Sequence, residues 1–297
     1  MATPRADRAT IPTPMERAAV RDGEVRVGEV RSPVIEAGPE ASTEAMVFVH
    51  GNPGSGEDWR DLVARAGAFA RAVAFDMPGF GRADKPPGFD YSVPGYAAFI
   101  GSALRELGVE RAHLVVHDFG GAFGLAWAAS DPDAFRSVVI INAPTVSGYR
   151  WYLLAKVWRT PVAGELLHWT LTPPTFRWLV RRGNPKGLPP ALVDRMRRDY
   201  DRGTQRAVLR LYRATDARRM VPAPPSFFRD LDRPARVVWG SQDIYIPIEF
   251  AERHKAAFPH ADLLRLPGSG HFPMADDPEG VAAAVIPFLR HATGMEA

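Results

Sequence analysis

The chain has 297 residues, a formal charge of +3 at neutral pH and an apolar content of 46%, enough for one large core or a core with an inserted subdomain. It holds no cysteine, which excludes disulfides, thiolate metal sites and a cysteine nucleophile. No run of about 18 consecutive apolar residues occurs, so a membrane-spanning helix and stable membrane insertion are not expected.

In chain order, "MATPRADRATIPTPM" is rich in Pro, Thr, Ala and Arg and lacks the continuous apolar stretch of a secretory signal. It reads as part of a flexible, non-targeting tail over residues 1–20 of a cytoplasmic protein. Next, "EVRVGEVRSPVIEAG" alternates as an antiparallel hairpin does at a sheet edge. Five short apolar runs follow at 45–50, 71–77, 112–118, 137–143 and 235–240. They are apolar on both faces, as parallel strands covered by helices must be. Between them lie helical stretches such as "SVPGYAAFIGSALRELG", with Ser92 as its cap, Pro94 in its first turn and a stop at Gly108. The alternation of strand and helix assigns the chain to the α/β class.

The alternation fails from about 144 to 230, where Trp151, Trp158, Trp169 and Trp178 recur at helix-like spacing, broken by "TPPT" and "GLPP". The simplest organisation is a core of residues 21–143 and 231–297 with a helical lid over 144–230. Residues 149–220 hold 16 Lys/Arg and 5 Asp/Glu, a charge of +11 that leaves −8 for the remainder. A basic segment can meet nucleic acid or an anionic membrane. Here the arginines are scattered among Trp, Leu and Pro without a binding motif, so a solvated helical surface and no nucleic-acid partner are expected.

The residues that carry chemistry sit at strand ends. "VVHDFGG" (115–121) has the form of a strand, a sharp turn and a helix with a reactive side chain, Asp118, at the apex and small residues beside it. Upstream, "VFVHGNPGSG" ends a strand at His50-Gly51-Asn52-Pro53, where the Asn52 N–H joins that of Phe119 as a candidate oxyanion hole. Downstream, "VVWGSQDIYIP" places Asp243 beyond a strand, and "LPGSGHFPMADDP" places His271 in a loop before the last helix. No G-x-S-x-G occurs.

With these motifs, and with "FDMPGFGRADKP" after the second apolar run, the sequence resembles the α/β-hydrolase superfamily from about residue 22 to 292. The resemblance implies a mostly parallel sheet flanked by helices, an inserted helical cap, and a triad in the order Asp118, Asp243, His271. Aspartate at the elbow points to epoxide hydrolases and haloalkane dehalogenases, with fluoroacetate dehalogenases as a smaller branch. In that chemistry Asp118 attacks an sp³ carbon, and His271, oriented by Asp243, activates the water that cleaves the resulting ester.

For epoxide hydrolases, "LRLYRAT" is similar to the segment carrying a lid tyrosine, which makes Tyr212 the leading donor to the epoxide oxygen. The second donor falls near "LLHWTL", at His168 beside Trp169, with Tyr149 and Tyr152 as rivals. Trp169, Tyr149 and Tyr152 are expected to line an apolar pocket. For dehalogenases, "HGNP" offers the Asn52 side chain to a halide, but Phe119 lacks the indole N–H that family places after its nucleophile. Asn142 stands where many dehalogenases carry their acid, which leaves that role to Asp243. The expectation is hydrolysis of an apolar epoxide to a vicinal diol by a monomer or homodimer using water and no metal or organic cofactor. Haloalkane dehalogenation and a non-catalytic, ligand-binding sensor are the alternatives.

Overall fold

The computed structural model describes residues 15–145, 148–221 and 223–295. Residues 1–14 of the expected tail lie outside the described residues, and Val20 already opens the first strand. Eight strands form one sheet: β1 (Val20–Val27), β2 (Val30–Ala37), β3 (Glu44–Val49), β4 (Arg71–Phe75), β5 (Arg111–His117), β6 (Phe135–Ile141), β7 (Ala235–Gly240) and β8 (Asp262–Leu266). Their spatial order is β1-β2-β4-β3-β5-β6-β7-β8. The hairpin β1-β2 is antiparallel and occupies one edge, β2 runs antiparallel to β4, and the other neighbours are parallel. The five apolar runs are β3 to β7, the strands buried on both faces. The sequence "DLLRL" of β8 lacks such a run because β8 is the opposite, half-exposed edge.

The first three helices are α1 (Arg60–Gly67), α2 (Val93–Glu106) and α3 (Phe119–Ser130). Ser92 Oγ caps α2 by accepting the Gly95 N–H at 3.2 Å, and the helix gives way to Gly108 at φ +65°. Between β6 and β7 lie α4 (Leu153–Arg159), α5 (Ala163–Thr170), α6 (Pro173–Arg182), α7 (Pro190–Asp199), α8 (Arg202–Ala214) and α9 (Pro225–Leu231). The chain closes with α10 (Glu249–Arg253), α11 (Pro273–Asp276) and α12 (Pro278–Ala292).

Apolar residues of α1 and α12 pack on one face of the sheet against Met46, Phe48, Val115 and Val139. Helices α2 and α3 pack together on the other face, over Val47, Leu114 and Val138. Within the inserted segment, α8 buries Ala207, Val208, Leu211 and Tyr212 and exposes Arg202, Arg206 and Arg210. Here the basic residues form the solvent side of an amphipathic helix. Among the described residues no helix is long and apolar enough to cross a membrane.

Candidate active site

The chain turns from β5 into α3 at Asp118, whose φ of 52° and ψ of −128° lie where side-chain-bearing residues rarely go. Close packing holds this turn in place. A Cβ on Gly120 would sit 2.2 Å from the Val49 carbonyl oxygen, and one on Gly121 would sit 2.6 Å from the Ala143 Cβ. A Cβ on Gly51 would meet Asp118 Oδ1 at 2.4 Å. Glycine at these positions lets α3 and the loop after β3 close on the elbow.

Asp118 is 7% exposed; its Oδ1 accepts the Asn52 N–H at 2.8 Å, and the Phe119 N–H is a second backbone donor to the carboxyl. The expected oxyanion hole therefore holds the elbow carboxylate itself. Asp118 Oδ2 lies 3.7 Å from His271 Nε2, and His271 Nδ1 bonds Asp243 Oδ2 at 2.8 Å. Asp243 also accepts the Asn142 amide at 2.8 Å and the backbone N–H groups of Tyr245 and Ile246 at 2.8 and 3.0 Å. Asn142, noted in the sequence only for its position, serves the carboxylate of Asp243.

These surroundings set the protonation states. Burial raises the Asp118 carboxyl above its ordinary range, against the pull of His271 and the two backbone donors. Burial acts the same way on Asp243, but His271 and Asn142 overcome it and hold this carboxyl below the usual range. For His271, burial works against the imidazolium, yet Asp243 and then Asp118 raise it above the ordinary imidazole value.

The histidine loop is held from two further sides that sequence reasoning missed. His117 Nε2–H donates to the His271 carbonyl at 2.7 Å, and burial keeps this imidazole neutral by lowering its pKa to about 3. From the end of α6, the Gly183 carbonyl accepts the His271 N–H at 2.9 Å and Asn184 Oδ1 accepts the Phe272 N–H at 2.8 Å. His117 is conspicuous beside Asp118, but these contacts join residues far apart in the chain, and no local pattern reports them.

The inserted segment brings two phenols over the elbow. Tyr212 Oη lies 3.0 Å from Tyr152 Oη and accepts a bond from Asn52 Nδ2 at 3.4 Å, and its ring meets Phe119 edge-on at 5.0 Å. Burial lifts both phenols well above their usual pKa, so they stay protonated donors. His168, expected as the second donor, lies elsewhere: its Nε2 pairs with Tyr200 Oη at 3.1 Å, and burial lowers its pKa to about 4. Tyr149 donates to the Tyr245 carbonyl at 3.3 Å and packs against Phe250, outside the cavity lining. Trp169 is 83% exposed and also lines no part of it. Of the three expected pocket residues, Tyr152 alone is brought to the cavity.

That cavity measures about 40 Å³ and is lined by Asn52, Tyr152, Trp158, Phe176, Tyr245 and His271, among others. A larger hollow of about 310 Å³, lined by Thr145, His254 and Phe258, holds none of these converging groups.

A sequence model of the alpha/beta hydrolase fold matches residues 44–278. The chain belongs to the α/β-hydrolase family. Its relatives include a cis-3-alkyl-4-alkyloxetan-2-one decarboxylase of Xanthomonas campestris, 29% identical over 90% of this chain and 94% of that protein. Haloalkane dehalogenase 2 of Mycobacterium tuberculosis is 28% identical over 83% of this chain and 88% of its own. Among solved structures, a haloalkane dehalogenase from Bradyrhizobium elkani superposes with a TM-score of 0.79 at 20% identity, covering 94% of this chain and all of that one. This last likeness is one of fold.

The packing at the elbow makes a direct prediction. Gly120→Ala forces the Val49 carbonyl and α3 apart and is expected to cost about 1–3 kcal/mol of stability, as overpacked core sites do. Thermal or urea unfolding measures this, and a midpoint equal to that of the parent would contradict the close approach.

Proposed function

We propose that this protein is an epoxide hydrolase acting on apolar epoxides, with residues 21–143 and 231–297 as the catalytic core and 144–230 as its cap. The observation that carries this reading is the Tyr152–Tyr212 pair, two protonated phenols 3.0 Å apart. They are tied through Asn52 to the elbow carboxylate. An opening epoxide leaves an alkoxide, which needs O–H donors at the place where its charge develops.

In the first half-reaction Asp118 Oδ2 attacks an epoxide carbon and the ring C–O bond breaks. The phenols hydrogen-bond the departing oxygen, and one of them supplies its proton. The product is an ester of Asp118 with the ring-opened alcohol. In the second, His271 Nε2 removes a proton from water, and the oxygen adds to the Asp118 carbonyl carbon. The N–H groups of Asn52 and Phe119 hold the resulting oxyanion; its collapse breaks the ester C–O bond, the departing alkoxide takes the proton of the newly formed Asp118 carboxyl, and the diol leaves with Asp118 ionised again. The imidazolium proton returns to the phenolate through solvent, so one epoxide and one water give one diol. Asp243 orients the imidazole throughout. Trp158, Phe176 and Leu171 at the cavity favour an apolar substrate.

The oxetan-2-one named for one relative is, like an epoxide, a strained cyclic carbon–oxygen electrophile, which supports a ring-opening chemistry. The second reading, hydrolysis of a carbon–halogen bond, draws on Asn52 and on the haloalkane dehalogenase relatives. Against it, Phe119 has no side-chain N–H, and Asn52 Nδ2 points to Tyr212.

Matched panels of epoxides and haloalkanes, assayed for diol and for halide, distinguish the two. Diol formation is expected to dominate, and Tyr152→Phe and Tyr212→Phe are each expected to slow epoxide opening at least about tenfold. Halide release that outruns diol formation and ignores both substitutions would transfer the site to dehalogenation. Tight binding of an apolar ligand with no turnover of any panel member would instead favour a sensor.

His271 carries a second expectation. His271→Gln should stall the reaction at the ester, seen as a mass increase equal to the substrate. The imidazole must be neutral to act as base, so ester breakdown should rise with pH through its pKa. Esterification removes the Asp118 charge that helps raise that pKa, so the acid limb of ester breakdown should lie below the His271 titration of the free enzyme. Single-turnover kinetics and histidine NMR test this, and ester breakdown independent of pH would contradict it.

A further inference from the structure

The outward side of α5 (Ala163–Thr170) and α6 (Pro173–Arg182) mixes large apolar side chains with arginines. Helix α5 buries Gly164 and His168 on one side. Leu166 and Trp169, three residues apart and hence on one face of α5, are 53% and 83% exposed, and Val162 at its N-cap is 67% exposed. On α6, Phe176 and Val180 turn inward to line the cavity beside His271. Trp178 on the same helix is 58% exposed, with the Arg182 guanidinium 5.1 Å from its ring centre. Arg181 is exposed as well, as is Arg177, whose guanidinium pairs with Asp194 of α7 at 2.7 Å.

The charge on this stretch has one sign. Residues 150–186 contain seven Lys/Arg and a single acidic residue, Glu165, which Arg213 engages at 2.8 Å. Exposed tryptophan and aliphatic side chains set among arginines, with almost no acid, match a bilayer interface. There the indoles sit at headgroup level and the cations meet anionic lipid. A nucleic acid has no use for the apolar stripe of α5.

We propose that the outer face of α5 and α6 docks reversibly on an anionic lipid surface, so that an apolar substrate reaches the cap from the bilayer. No described helix is long enough to cross a membrane, so the segment lies on the surface and does not span it. The inner face of α6 lines the cavity, which places the docking face and the substrate site on opposite sides of one helix.

Vesicles of phosphatidylcholine, with and without phosphatidylglycerol, test this on the intact chain. The protein is expected to sediment with the anionic vesicles at low salt, with a blue shift of tryptophan emission, and to be released by high salt. Leu166→Asp with Trp178→Ser, and separately Arg181→Glu with Arg182→Glu, should weaken binding at least about tenfold. All four side chains are exposed, so the unfolding midpoint should stay at the parent value. Absence of binding to anionic vesicles, or binding unchanged in both variants, would overturn the proposal. A concentration-dependent dimer that is lost in the first variant, without vesicle binding, would also overturn it and assign the face to a second copy of the chain. The readout involves no turnover and is independent of the bond the enzyme breaks.

Discussion

Everything around the elbow answers one constraint, a carboxylate buried on a strained backbone. Removing an ion from water costs several kcal/mol unless hydrogen bonds and opposite charge replace the solvent. Asp118 meets that requirement with the Asn52 N–H on Oδ1, the Phe119 N–H as a second backbone donor, and the His271 imidazole 3.7 Å from Oδ2. The left-handed turn that aims the side chain costs about 1–3 kcal/mol more. It persists because glycine at 51, 120 and 121 lets the loop after β3, the Val49 and His50 carbonyls and the side chains of Ala143 and Thr145 pack closely against it. The same two N–H groups that hold the resting carboxylate are in place to hold the oxyanion proposed for ester hydrolysis, so that step calls for no new donor.

The second carboxylate has a different role because its environment differs. Asp243 accepts four hydrogen bonds and is held ionised, which suits a group that orients a base. Asp118, with fewer partners and a raised pKa, keeps an oxygen facing His271 Nε2. Two aspartates of the same chain thus differ in pKa through their neighbours alone, in the sense that the proposed roles of attacking group and orienter require.

The core strands were legible because parallel strands buried on both faces leave continuous apolar runs; Asp118 and Asp243 were legible because each sits where such a run ends, and His271 because it stands in the loop "LPGSGHFP" before the last helix. The edge strand β8 left no run to find. The failures cluster in the inserted segment. His168 and Tyr152 are both plausible donors by position, and the choice between them depends on how α4 and α8 pack, which places Tyr152 against Tyr212 and His168 against Tyr200. Trp169 reads as a pocket residue because tryptophan is usually buried, yet it lies on the outer stripe of α5. His117 and Asn184 steady the histidine loop through contacts whose partners lie far along the chain, beyond the reach of any local pattern.

The inserted segment therefore works on the site from above and from the side, supplying the phenols and anchoring the loop of His271. The central claim is that Asp118 becomes covalently bonded to the substrate, and a single turnover in heavy-oxygen water, with enzyme in excess over an apolar epoxide, tests it most directly. The account predicts that the first diol carries unlabelled oxygen taken from Asp118 and that the label is recovered in the peptide containing Asp118. Label in that first diol, with none in Asp118, would show that water attacks the substrate directly and would contradict the account.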